Sequence, residues 1–209
     1  MKTLLLSSIL ALTFAVQPAV AEVTVTDLPD MPAGTYQLDG SHATVFFKVR
    51  HMGFADYIGR FNTLQGEIDL HEKDVEKSSL TVTIDTASID TNNATLEKKL
   101  KAEDAFSVEK YPSITFEATE LEMQTPTTGL MTGDLTMLGA THPVTFDVTF
   151  NGGGRHPFNN KDTMGFSATT TIDRTEWGLD NWVPMVGADV TIEVHAEFQR
   201  TDGESAFAK

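Results

Sequence analysis

The side chains able to do chemistry in this chain are scattered, not grouped. There is no cysteine, which removes disulfides, thiolate metal sites and thiol nucleophiles. The six histidines are His42, His51, His71, His142, His156 and His195. None is spaced as HxH or HExxH, the patterns that turn two imidazoles toward one metal ion. Ser41 and His42 are adjacent, so in an extended chain their side chains point to opposite faces and make no nucleophile–base pair. Ser167 sits in a Thr-rich stretch without the GxSxG turn that exposes a nucleophile. The 30 acidic residues read as a solvated surface, and His195 stands among them, between Glu193 and Glu197. One histidine differs. His51 has the parity of Val45, Phe47 and Val49, so on a strand it shares their apolar face, where it can stand at the mouth of an interior and donate to a ligand's polar head. No residue is assigned to catalysis or to a metal, and no cofactor is expected.

The elements that must position these residues are strands. Apolar and polar residues alternate with period 2, the pattern of a strand with one dry and one wet face. The runs are 43–50, 64–70, 80–85, 114–119, 131–137, 144–150, 166–172 and 190–198, with Thr35 to Asp39 as a ninth candidate. Their wet faces are rich in Thr, a good strand former. Turn residues separate them at Leu38-Asp39-Gly40-Ser41, Leu138-Gly139-Ala140-Thr141 and Asn151-Gly152-Gly153-Gly154. One interval breaks the rule. Asn93 to Val108 carries Leu96 and Leu100 at i, i+4 and Glu97 with Lys101 as an ion pair at the same spacing, so it predicts a short amphipathic helix capped by Asn92 or Asn93. Short links make sequential strands antiparallel neighbours. About eight of them hide their edges by closing into a barrel, whose interior is just wide enough for side chains or one small ligand. The fold class is therefore all-β, a single antiparallel barrel with one short helix. Strands of about ten residues give a lumen of about 30 Å before tilt.

Residues 1–21 read as a cleaved signal peptide: Lys2, an apolar run from Leu4 to Val16, and the small-x-small site Ala19-Val20-Ala21. Residues 22–34 lack periodicity and read as a linker, 35–200 as the barrel domain, and 201–209 as a loose polar tail. The formal net charge is −15, and loss of the leader's lysine makes it more negative. Such a chain repels nucleic acid and anionic membrane faces. An integral outer-membrane barrel shares the leader and the alternation. It needs aromatic girdles and an apolar outside, which 3 Tyr and 2 Trp do not supply.

Tyr36-Gln37-Leu38-Asp39 with His42 is followed by Phe47-Lys48-Val49-Arg50-His51-Met52-Gly53 and Gly59-Arg60-Phe61. Next come Ser88-Ile89-Asp90-Thr91-Asn92 and Lys110-Tyr111-Pro112-Ser113-Ile114-Thr115-Phe116. Then stand Thr132-Gly133-Asp134-Leu135-Thr136, Leu138-Gly139 and Pro143-Val144-Thr145, and last Gly165-Phe166, Asp173-Arg174 and Trp177-Gly178. In this order, over nearly the whole mature chain, these segments resemble the YceI-like family of exported bacterial proteins. The resemblance implies a lipocalin-like barrel in the periplasm, whose lumen holds a long isoprenoid chain such as a quinone tail or a polyprenyl lipid. The family's helix pattern Arg-Asp-x-His-Leu-Arg is replaced here by Leu96-Glu97-Lys98-Lys99-Leu100-Lys101, which keeps positive charge but loses the Arg and His.

On this reading the lumen is lined by Val45, Phe47, Val49, Ile68, Val82, Ile84, Phe116, Leu135, Met137, Phe146 and Phe166, with His51 at its mouth. Interior Gly66 and Gly133, with Ala43, Ala118 and Ala168, suggest spare space. Two aromatic groups serve as portals or as plugs: Phe54, Ile58 and Phe61, and Trp177 with Trp182. Leu96, Leu100 and Phe106 make the helix a lid or pack it on the barrel. Inward apolar faces alone fit a packed core as well as a ligand-holding lumen. The function expected is binding, storage or transport of an isoprenoid lipid or quinone, as monomer or homodimer. The alternatives are an enzyme acting on a lipid or small hydrophobic substrate, and a ligand-free stress-response scaffold.

Overall fold

The computed structural model describes residues 25–207; the leader expected over residues 1–21 lies outside them. Among the described residues the chain forms one ten-stranded antiparallel sheet. Its strands are β1 (Gly34–His51), β2 (Ala55–Phe61), β3 (Leu64–Leu70), β4 (Ser79–Asp85), β5 (Ile89–Asp90), β6 (Ser113–Met123), β7 (Thr128–Met137), β8 (Ala140–Arg155), β9 (Asp162–Asp173) and β10 (Val186–Arg200). Pairing of β1 with β10, from Tyr36↔Arg200 to His51↔Val186, closes the sheet. Eight strands form the barrel, all but β2 and β5. Closure leaves no long edge in the barrel, as a sheet of this size requires.

β1 is the organising strand. At its start Gly34–Gln37 pairs with Leu70–Glu67 of β3; at its end Val45–His51 pairs with Phe61–Ala55 of β2. Between the two halves its register against β10 shifts, from Leu38 to Ala43. Leu38-Asp39-Gly40-Ser41 is therefore a bulge inside an 18-residue strand, not the turn expected from its composition. The glycine run from Asn151 is likewise a bulge within β8, with its shift between Phe150 and Gly152. Bulges use turn-type residues because the extra residue bends the strand, and a small barrel needs such bends. Leu138-Gly139 is a true turn: both residues have positive φ, 54° and 79°, as a two-residue hairpin demands.

The segment around Phe54–Phe61, expected as an aromatic plug or portal, folds as β2. Its turn places Met52 and Gly53 at φ 51° and 75°. The helix α1 is shorter than expected, Ala94–Leu100. Asn93 caps it, its Oδ1 accepting from the amides of Thr95 and Leu96 at 3.1 Å each. Glu97 does not pair with Lys101. It accepts from the amides of Thr91 (2.9 Å) and Asn93 (3.2 Å), because unsatisfied N–H groups at a helix start are nearer and stronger partners than a lysine one turn on.

Two buried clusters line the barrel interior. The larger spans Val45, Phe61, Ile114, Phe116, Phe146 and Trp177. The second lies at the other end around Tyr36, Met164, Phe150 and Phe198. The described part of the segment expected as a linker adds Val25, Leu28 and Met31 to it. Val25 bridges Gly153, each amide donating to the other's carbonyl (3.0 and 2.9 Å). The polar tail returns to the same end. The Thr201 amide donates to Thr35 O at 2.9 Å, and Ser205 and the Ala206 amide bind the carboxylate of Asp162. That carboxylate is fully buried.

Candidate functional site: an apolar lumen

Alternation sends every second residue of each strand inward. The inward faces do not fill the barrel. They enclose an apolar cavity of about 360 Å³. Its lining on β10 runs from Val186 to Phe198, about 40 Å along the strand and about 30 Å along the barrel axis after tilt. Val45, Phe47, Val49, Phe61, Ile68, Val82, Ile84, Phe116, Leu135, Met137, Phe146 and Phe166 all line it. Leu100 and Phe106 close it from the helical side, and Trp182 lies at its rim. Phe61 ties wall to lid, its ring edge-on to that of Phe106 at 6.0 Å.

Five expected residues stand elsewhere. His51 is exposed at the end of β1, its ring 6.4 Å from that of Tyr57. Ile58 pairs with Lys48 across β1 and β2 and so faces outward, while Phe54 sits exposed on the turn. Leu96 is half-buried on α1 but off the lumen wall. Trp177 is buried outside the lumen; its Nε1 donates to Leu135 O at 3.0 Å and its ring meets His142 edge-on at 5.0 Å. Parity predicts the interior only where a strand continues: Ile58 lies on the outward face of β2, and the other four lie at a strand end or beyond it. The interior glycines do not supply the space. A side chain at Gly133 would meet the ring of Phe116 at 2.4 Å, and one at Gly59 the ring of Phe47 at 2.2 Å. The glycines let those rings lie flat on the wall; Ala43, Ala118 and Ala168 leave the room.

Polar groups reach the lumen at two places, and sequence reading missed both. The first is a gap in the wall. Pairing of β4 with β6 stops at Thr81↔Glu117, and β6 bulges between Ala118 and Glu120. Ser78, Ser79, Thr119 and Glu120 line this gap, and Glu76 crosses it, accepting from the Met123 amide at 2.9 Å. Nothing periodic marks the β3–β4 connection that carries Glu76. The second is Arg174, only 6 % exposed, at the Trp182 end. Its guanidinium donates to four main-chain carbonyls, those of Gly187 (2.9 Å), Asn181 (2.9 Å), Val186 (3.1 Å) and Leu179. Burial lowers its pKa. The arginine thus knits residues 179–187 into a rim and places a positive charge beside an apolar cavity. Its signal, the Asp173-Arg174 pair after a strand, was visible without revealing this role.

The bulge in β1 overturns one expectation. Ser41 and His42 do not point apart, because residues 39–42 are not regularly extended. Ser41 Oγ donates to Asp39 Oδ1 at 2.6 Å and lies 3.2 Å from His42 Nδ1, which is 2.9 Å from Asp39 Oδ2. Hydrogen bonds from Ser41 and His42 hold the Asp39 carboxyl down at about 2, and the bond to Asp39 raises His42. The grouping is not a catalytic triad. The serine proton is committed to the carboxylate, and one imidazole nitrogen faces both partners, so no second nitrogen is poised on the hydroxyl. It lies on the exposed outside, away from the lumen lining. Among the described residues no three His, Asp or Glu converge on a metal position. The site can bind an apolar chain, with polar groups at two places on its wall.

A family model described as YceI-like domain matches residues 36–198. A UPF0312 protein of Vibrio parahaemolyticus is 34 % identical over 169 residues, covering 79 % of this chain and 87 % of its own. Among solved structures, a Campylobacter jejuni YceI protein superposes with a TM-score of 0.66 at 27 % identity, over 74 % of this chain and 91 % of its own. A polyisoprenoid binding domain from Saccharophagus degradans superposes with a TM-score of 0.58 at 12 % identity, over 79 % and 98 %; that likeness is one of fold.

Proposed function

The chain belongs to the YceI-like family, and from that premise we propose that it is a periplasmic carrier that takes the tail of a long isoprenoid lipid, of quinone or polyprenyl type, into its lumen. The cavity carries the proposal: its lining is apolar over most of the barrel, with polar groups at only two places among the described residues. The Saccharophagus degradans neighbour, described as binding polyisoprenoid, points the same way. Burial of apolar surface is worth about 25 cal/mol per Å², or about 0.8 kcal/mol per methylene. A few branched units therefore supply a carrier's affinity after the cost of ordering the chain. Recognition of this kind reads length and width loosely, and leaves head-group discrimination to the rim.

Native mass spectrometry of the protein taken from its own periplasm, followed by extraction and identification of the lipid, is the test. A one-to-one isoprenoid adduct is the expected result. The companion variant is Ala168→Phe, which fills the lumen beside Val148 and Val194 and is expected to abolish uptake while the circular dichroism spectrum stays unchanged. An empty protein that also takes up no polyprenol or quinone in titration defeats the carrier reading.

A further inference from the structure

Exposed large apolar side chains are concentrated at one end of the barrel. Among the described residues, all of them but Phe158 stand on two neighbouring segments: Met52, Phe54 and Ile58 on the β1–β2 hairpin, and Trp182, Val183 and Met185 before β10. The segments are joined, since the Met52 amide donates to Met185 O at 2.6 Å and His51 pairs with Val186. Scattered exposed apolar residues need no explanation, but a contiguous group does. Phe54 is 85 % exposed on the tip of a turn, so no rearrangement of the barrel hides it. The patch is also continuous with the lumen. Trp182 is 41 % exposed and lines the cavity at the same time.

The charge beside the patch is less negative than that of the whole chain. Net charge predicts repulsion from an anionic surface, yet α1 and its C-cap carry Lys98, Lys99 and Lys101 at this end. The Tyr57 hydroxyl of β2 donates to Thr91 O just before the helix (3.1 Å), and Asn181 Nδ2 donates to Asp104 O just after it. Glu97 is turned to main-chain amides. Among the described residues none of the ion pairs involves these three lysines. Of the nearby acids, Asp56 and Asp90 are held by Arg50 and Arg60, while the exposed Glu103, Asp104 and Asp180 offset the lysines and leave this end near neutral.

We propose that this end docks on the surface of an anionic lipid bilayer. The Phe54 turn and residues 182–185 enter the boundary between head groups and acyl chains, and the α1 lysines lie over the phosphates. Interfacial binding combines these two elements, apolar burial and attraction to anionic lipid. The reading rests on the carrier function, because a tail that leaves a membrane for the lumen needs an apolar path, and Trp182 borders both. A second copy of the chain fits less well. A two-fold contact through this end would set the two lysine groups and two strongly negative chains against each other.

The test is sedimentation of the mature chain with vesicles of phosphatidylcholine and phosphatidylglycerol in equal parts, with Trp182 fluorescence as a second readout. Wild-type protein is expected to pellet with the vesicles. Partitioning is expected to fall at least about tenfold in Phe54→Ser/Met185→Ser, an effect of the size that loss of two buried apolar side chains gives. A smaller drop is expected in Lys98→Glu/Lys99→Glu, with attraction lost as salt is raised. Wild-type protein that stays in the supernatant, or a Phe54→Ser/Met185→Ser variant that pellets like wild type, overturns the proposal. So does a dimer in sedimentation velocity that the same pair dissolves in the absence of vesicle binding. The carrier reading fails separately. Uptake of polyprenol without vesicle binding removes only the docking, whereas vesicle binding by a protein that takes up no lipid supports the docking and removes the cargo.

Discussion

The two ends of the barrel handle their apolar side chains in opposite ways. At the end where β1 begins, Tyr36 and Met164 are fully buried. The segment around Val25–Met31 lies over them, and the tail is fixed by Asp162. Tyr36 Oη even donates to Pro32 O at 2.6 Å within that cover. At the end where β1 finishes, Phe54, Ile58 and Met185 face solvent, and among the described residues the cover is α1 with the residues after it and the rim of residues 179–187. Stability accounts for the first end. It does not account for the second, because leaving large apolar groups in water gains nothing for the fold. The difference teaches that chain outside the strands covers an end, apart from the gap between β4 and β6, and that where such chain stops short the barrel is left with a mouth.

Substitutions can break or sharpen this contrast. The largest effect belongs to the sealed end: Tyr36→Ala is expected to lose about 3–5 kcal/mol in urea unfolding, the cost of emptying a fully buried aromatic site. A loss under about 1 kcal/mol would mean that this end is not closed in solution. Asp162→Ala comes next, at about 1–3 kcal/mol, because Ser205 and the Ala206 amide lose their acceptor. It should also free the tail, so limited proteolysis beyond Arg200 is expected to speed up well before the barrel is cut. The bulge between the ends gives a pH signature. His42 has a raised folded pKa, so its contribution is complete below its ordinary 6.5 and fades as pH rises through the elevated value. Asp39 is lowered to about 2, so its contribution is present above its ordinary 3.8 and is lost as pH falls toward that lower value. The melting temperature gap between wild type and His42→Asn should therefore be widest between 3.8 and 6.5 and shrink on both sides. A gap independent of pH rejects the pairing. The smallest effect lies at the open end, where Phe54→Ser should stay within about 0.5 kcal/mol of wild type.

Much of this was legible in the sequence, for a physical reason. A strand with one dry face writes its orientation into every second residue, so Val45, Phe47, Phe116 and Phe146 could be assigned inward before any coordinates. The closed barrel followed because eight antiparallel strands need their edges hidden. What period 2 does not encode stayed illegible. The segments 38–41 and 151–154 read as turns because bulges and turns ask for the same residues. β2 hid behind its aromatics, since Phe54 and Ile58 have the parity opposite to Tyr57 and Phe61. The cover over Tyr36 comes from residues with no repeat at all. Arg174 and Glu76 reach the lumen from connections, and only the folded chain shows which connections border the cavity.

The pairing of β1 with β10 has a consequence in time. Tyr36 finds its partner in Arg200, so the first strand waits for the last. Closing so long a loop costs entropy that no local contact repays, and topologies dominated by such contacts fold slowly. Until residues after Val186 are present, β1 keeps one bare edge and there is no enclosed interior. A chain cut short before β10 would therefore lose more than one strand in eight: it would be an open, edge-exposed sheet, prone to pair with its neighbours, with no compartment to hold anything.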